Sequence, residues 1–363
     1  MIRAALTAIG VWCSLVLPSL FVVHKYTGWK GTAAYAALAT LGVPLRTRIP
    51  LPRGTYAARW LAAATFVFVL VAFLAIYPIV NVHSPGMGSD DDDTYNIGAL
   101  SLLAGRSPYE QTTYLGNALH PFAGSFVLAM PFVLLGTSAW QNLFWLTMFF
   151  LAVRADTGND RAALGLAWLM LALSPTVMHQ VVTGTGHAAN TIYVLLGLWW
   201  LTRTRHRDLA AVAWGIALAS RANFLFLVPI AFGWVRQHHG WRAAVRATAL
   251  TLAVVACLTL PFYFHDPAGF GPLEGGNRLS RFNDLIPHAD GIIIALMTVL
   301  AAALSFVPMT KVTLFRSCAI VQAFPVAVGT LLGTVQRGQP DLAYASYFTF
   351  AAWFMVMAVA LDE

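Results

Sequence analysis

The chain has 363 residues, of which 58% are hydrophobic and only 10% charged, and its formal net charge is +7; its mean hydropathy is +0.68. A soluble domain carries about a quarter of its residues as Asp, Glu, Lys and Arg, so this composition excludes one and points to a chain embedded in a bilayer. Cys13, Cys257 and Cys318 each lie inside an apolar run, which argues against a disulfide framework or a cysteine metal spacing.

A bilayer-crossing helix needs about 20 mainly apolar residues. Runs free of Asp, Glu, Lys and Arg cover 4–24, 60–89, 162–190, 247–265, 291–310, 317–336 and 342–361, with shorter runs between them. The first follows Arg3 and has no Ala-x-Ala type site before the next apolar segment, 32–45, so it reads as a retained helix rather than a secretory signal. Basic residues collect at Arg46/Arg48/Arg53/Arg59, Arg154/Arg161, Arg203/Arg205/Arg207, Arg236/Arg242/Arg246 and Lys311/Arg316, the bias expected of cytoplasmic loops. Most of the acids lie instead in 82–120, 265–290 and 334–341, which with 179–190 should share the extracytoplasmic side.

Loops on opposite sides are joined by an odd number of crossings, and one region breaks that parity. Between the outer loop ending near His120 and the inner Arg154 lie two apolar pieces, 122–135 and 140–153. The first begins at Pro121 and is interrupted by Pro131, so it reads as a helix lying in the outer interface. The expectation is one all-α polytopic domain over 1–363 with about twelve crossings. Both termini would be cytoplasmic, and the large first outer loop, 83–137, would hold two interfacial helices near 94–104 and 122–135.

That loop opens with Asp90, Asp91, Asp92 and Asp93. Tyr95, Ala99, Leu102 and Leu103 then fall on one helical face before Gly105 stops the helix. The stretch "DDDDTYNIGALSLLAGRSPYEQ…LHPFAGSFVLAMPFVLLG" resembles the first outer loop of the GT-C superfamily of glycosyltransferases: an acid shortly before a Tyr, a helix ending in LL-x-G-x-x-PY, then a Pro-led interfacial helix. Within that superfamily it is most similar to polyprenol-phosphate-mannose-dependent mannosyltransferases. "GIALASRANFLFLVP" (215–229) and "LPFYFHDPAGFGPL" (260–273) resemble two later motifs of the group, so the similarity spans about 60–290. The chain departs from many relatives in its second outer loop, "HQVVTGTGHAAN", which contains no carboxylate.

The resemblance implies transfer of a sugar, mannose by this match, from a polyprenyl-phosphate donor to a glycolipid or glycan hydroxyl at the outer face. Partners would be that donor, that acceptor and the bilayer, with no nucleic acid. The leaving phosphate is already ionised, so the chemistry needs a base at the acceptor hydroxyl and gives inversion. Counting back from Tyr95, Asp91 matches the family acid, with Asp92 next. Arg221 interrupts an apolar hairpin at its outer tip, where an arginine is costly without a partner and suits a phosphate. Tyr95, Tyr109, His120, His187, Arg278 and Arg281 complete the expected substrate-binding set, the last two from the outer loop 265–290. No cofactor is expected; the histidines lack metal-ligand helical spacing, although His120 and His179 on separate loops leave a divalent metal open.

Blander readings stand beside each assignment. An aspartate run also serves as a solvated loop, a membrane arginine pairs with a structural acid, and a buried histidine packs in a core. Two other functions fit an outer acid with a membrane arginine: a transporter or lipid flippase, though no paired repeat is visible, and an oligosaccharide polymerase or ligase.

Overall fold

The computed structural model describes residues 2–45, 54–83 and 89–362. Arg46, Arg48 and Arg53 of the first basic loop lie outside the described residues, and the side chains of Arg3 and Glu274 are not described. Among the described residues the chain is helical throughout, apart from turns and one isolated bridge between Thr112 and Ala118. In chain order the helices are α1 (Ile2–Leu15), α2 (Leu17–Leu45), α3 (Thr55–Val80), α4 (Asp91–Leu103), α5 (Ala123–Val133), α6 (Trp140–Thr157), α7 (Asp160–Leu173) and α8 (Pro175–Thr183). They continue as α9 (His187–Arg203), α10 (Arg207–Leu218), α11 (Val228–His265), α12 (Asn277–Ser280), α13 (Ala289–Leu304), α14 (Lys311–Arg337), α15 (Leu342–Ala345) and α16 (Thr349–Asp362).

Among the described residues five helical stretches are long and apolar enough to cross a membrane, or up to seven if each of two sharply bent pairs is one span. The sequence reading anticipated about twelve. The difference lies mainly in the middle of the chain, where α7, α8, α9 and α10 have 14, 9, 17 and 12 residues. The run 162–190, read as a single crossing, bends by 86° between α7 and α8, because Pro175 cannot continue the hydrogen-bond ladder. Tyr35 Oη donates to the Leu173 carbonyl at this break (2.6 Å), so a carbonyl freed there is not left orphaned.

The described part of 83–137 contains helices where the sequence placed them, with shifted ends. The helix expected near 94–104 starts earlier, at Asp91, since carboxylates in a first turn meet the positive end of the helix dipole. The helix expected at 122–135 spans Ala123–Val133. These two pack on each other, and Gly98 lets the Phe126 ring approach to within 2.5 Å of where a Cβ would stand.

Burial ranks the helices. The span ending in α16 is 72% buried and packs against α1, α6, α9 and α14, whereas α3 is 11% buried. Trp353 and Phe354 of α16 form the centre of the core with Phe149, Trp214, Phe224 and Phe315, and the exposed apolar face of α3 suits contact with lipid.

Several of the basic loops meet through shared acids. Asp160 pairs with both Arg59 (2.7 Å) and Arg154. Asp156, whose side chain is 3% exposed, joins Arg203 (2.5 Å) to Lys311 (2.8 Å) and accepts from Trp199 Nε1 (3.1 Å). One carboxylate therefore fastens the ends of α6 and α9 to the start of α14. Asp156→Ala is expected to lower the unfolding free energy by about 2 kcal/mol. That is below the cost of breaking a fully buried pair, because both cations keep some access to water. Denaturant unfolding of the detergent-solubilised protein checks this, and an unchanged midpoint would contradict the role.

Candidate functional site

The four aspartates have four different environments. Asp90 accepts from Thr113 Oγ1 (2.6 Å) and Asn117 Nδ2 (2.7 Å), holding the small loop closed by the Thr112–Ala118 bridge. Asp93 is ion-paired with His83 Nε2 at 3.0 Å. Asp92 is fully buried and accepts from Tyr77 Oη at 2.5 Å, and Tyr77 Oη in turn accepts from Asn81 Nδ2 (2.9 Å). Burial, with a smaller push from Asp93 and Asp91 and against the pull of the Tyr77 bond, raises the Asp92 carboxyl to about 6. Asp91 accepts from Thr185 Oγ1 (3.0 Å) and Ser89 Oγ (3.3 Å), and it alone of the four lines the cavity between α4, α9, α13 and α14.

That cavity holds about 350 Å³. Asp91, Tyr95, His120, His187, Arg221 and Arg278 all line it, together with Asn223 and Gln322 on the polar side and Phe226, Ile294, Met297, Pro325 and Val326 on an apolar wall. Six of the nine residues expected in the site are thus gathered by elements far apart in sequence.

Close backbone approaches bring these elements together. A Cβ on Gly124 would stand 2.3 Å from the Ile216 carbonyl oxygen, so only glycine lets α5 lie on the end of α10. Beside this contact Phe122 N donates to Ser220 O (2.9 Å), fixing the turn that carries Arg221 to the start of α5. His120 Nδ1 bonds the Gly271 carbonyl (3.2 Å), tying the same loop to the 265–290 segment. On the other flank Gly184 takes a left-handed conformation (φ 76°), and Gly186 lies against the Tyr95 ring, where a Cβ would be 2.4 Å from a ring carbon.

Arg221 is held before any ligand arrives. The Asn190 amide satisfies all its neighbours when its oxygen accepts from Arg221 Nε (2.9 Å) and Tyr95 Oη (2.8 Å) and its nitrogen donates to Tyr193 Oη and the Gly186 carbonyl. The guanidinium also reaches Tyr95 Oη through Nη2 (3.4 Å) and lies 5.5 Å from the centre of the Phe350 ring. Arg278 lies 5.3 Å from the Tyr347 ring. Among the described residues neither arginine has a carboxylate within 4 Å. Two like charges on one small cavity with a single acid favour an anionic ligand.

Three expected residues belong elsewhere. Asp92 is absent from the cavity lining because one helical step of about 100° turns it inward to Tyr77. Tyr109 donates to the Pro121 carbonyl (3.0 Å), and its ring packs between Phe126, Phe262 and Phe270, so it braces the loop instead of lining the cavity. Arg281 is committed to Asp341 (2.7 Å), a fully buried carboxylate that Arg337 also approaches. The sequence reading missed Asn223 and Gln322, which bond each other twice (2.6 and 2.9 Å) and tie the turn before α11 to α14, and the aromatic residues Tyr344, Tyr347 and Phe350 before and within α16. A glutamine inside the apolar run 317–336 was the available signal, since buried polar side chains in such runs need partners. Among the described residues no three His, Cys, Asp or Glu side chains are grouped as metal ligands.

The raised Asp92 carboxyl gives a test of its structural role. Its folded value lies above the unfolded one of 3.8, so the folded state binds the extra proton between about 4 and 6. Its contribution to stability is present below that window and lost as pH rises through it. Asp92→Asn should therefore raise the unfolding free energy at pH 7.5 by up to about 3 kcal/mol, and the difference from the unsubstituted protein should shrink towards pH 4. Unfolding curves of both proteins across that range check the sign; a variant less stable at pH 7.5 would refute it.

The chain matches no family model, no curated protein and no solved structure, so the chemistry of this cavity is what remains to carry a functional reading.

Proposed function

We propose that the chain is a multipass membrane glycosyltransferase of the GT-C type, moving a sugar, mannose in this reading, from a polyprenyl phosphate to a glycolipid or glycan hydroxyl. The observation that carries the proposal is the meeting, in one cavity, of a single carboxylate, Asp91, with two arginines that have no described carboxylate within 4 Å. The apolar wall of Ile294, Met297, Pro325 and Val326 beside those charges suits a ligand with a lipid tail.

In the proposed reaction the Asp91 carboxylate takes the proton of the acceptor hydroxyl as its oxygen attacks the anomeric carbon. The bond from that carbon to the phosphate oxygen breaks, and the electron pair leaves with the phosphate, which Arg221 and Arg278 hold. Attack opposite the leaving group inverts the anomeric centre, and Asp91 returns its proton to water. Tyr95 and Asn190 act through Arg221, which they orient, and His120 and His187 contact sugar hydroxyls. About twelve crossings, cytoplasmic termini and an extracytoplasmic site complete the proposal. It is supported by the one acid, Asp91, and the two histidines, His120 and His187, that line the cavity, while Asp156 and Asp160 gather basic loops elsewhere.

Purified protein given labelled polyprenyl-phosphate mannose and a membrane lipid extract is expected to transfer label. Asp91→Asn should lower the rate by about 10²–10⁴-fold with an unaltered elution profile, Asp92→Asn should retain transfer, and Arg221→Gln should raise the donor KM. Full transfer by Asp91→Asn would eliminate the base assignment. Transfer only from a pyrophosphate-linked donor would favour an oligosaccharide polymerase or ligase.

A further inference from the structure

A second basic cluster lies where the start of α10 meets α11 beyond an interruption. Gly240 (φ 84°) breaks α11, and the helix that resumes carries Arg242 and Arg246 four residues apart on one face. Arg205 and Arg207 stand opposite, and with His206, Asp208 and Leu209 these side chains line an open pocket of about 610 Å³. Asp208 pairs with Arg246. Among the described residues Arg205, Arg207 and Arg242 have no carboxylate within 4 Å, and Arg207 Nε is buried without a hydrogen-bond partner. Like charges four apart on a helix repel, and a buried donor without an acceptor is costly. A bound anion would relieve both penalties at once.

We propose that this pocket binds the phosphate headgroup of an anionic phospholipid from the surrounding bilayer. Guanidinium groups grip phosphate oxygens in pairs, and basic pockets between membrane helices on a positively charged face take such headgroups. The lipid source is favoured over a soluble phosphate by what borders the pocket. Leu209, in its lining, is exposed, and so are Val245 and Leu252, two turns apart along the candidate span that contains α11. These offer an acyl chain a path away from the headgroup. The site is separate from the Asp91 cavity, so it stands or falls independently of the transferase reading.

The test uses the full chain purified in detergent, with labelled phosphatidylglycerol and, separately, labelled phosphatidylcholine. Phosphatidylglycerol is expected to be retained and phosphatidylcholine washed away. Combining Arg207→Gln with Arg242→Gln should weaken retention by about twenty-five-fold, roughly fivefold for each guanidinium removed. Arg106→Gln, in the exposed first outer loop, should leave it unchanged. If the double variant elutes as aggregate, Arg205→Gln with Arg242→Gln replaces it. Equal retention of the two lipids, undiminished retention in the double variant, or displacement of the lipid by glycerol 3-phosphate at equal concentration would each overturn the assignment.

Discussion

Four adjacent carboxylates repel one another, and in so apolar a chain they persist only if each finds a different neighbourhood. A helix start supplies the means: successive side chains turn by about 100°, and the backbone amides at the first turn stabilise the negative charge collectively. Asp90 closes a small loop, Asp92 turns inward to Tyr77, Asp93 meets His83, and Asp91 is left facing the cavity. What the cavity can do follows from this sorting, because three of the four charges are already committed and the fourth is held by hydroxyls alone.

The second requirement is proximity between segments that are far apart in the chain. Small residues meet it at the contacts themselves: Gly124 against the α10 carbonyls and Gly186 against the Tyr95 ring. Without those contacts the acidic helix, the Arg221 turn and the α8–α9 corner would stand a side chain's width further apart. The polar crossties at Phe122–Ser220 and His120–Gly271 then hold the register.

Much of this was visible in the sequence, for reasons that also explain what was not. Helical class and membrane character follow from composition, and the helix at Asp91 was foreshadowed by the spacing of Tyr95, Ala99 and Leu102. Arg221 could be singled out because an isolated charge in an apolar run is conspicuous. The bends inside apolar runs were not legible: hydropathy reads the run 162–190 as continuous, while Pro175 bends it and Gly184 ends α8. Nor could a one-dimensional pattern say which way each carboxylate turns, so Asp92 looked equivalent to Asp91. Arg281 resembled Arg278 for the same reason, its partner Asp341 lying 60 residues away.

Arg221 carries one more implication. Its guanidinium is fixed on three sides, by the Asn190 oxygen, the Tyr95 hydroxyl and the Phe350 ring. A flexible arginine loses rotamer freedom whenever it closes on a ligand; here most of that freedom is gone already in the folded chain. Recognition at this position is therefore geometric as well as electrostatic, and the Asn190–Tyr95 pair sets which orientation of an incoming anion is accepted.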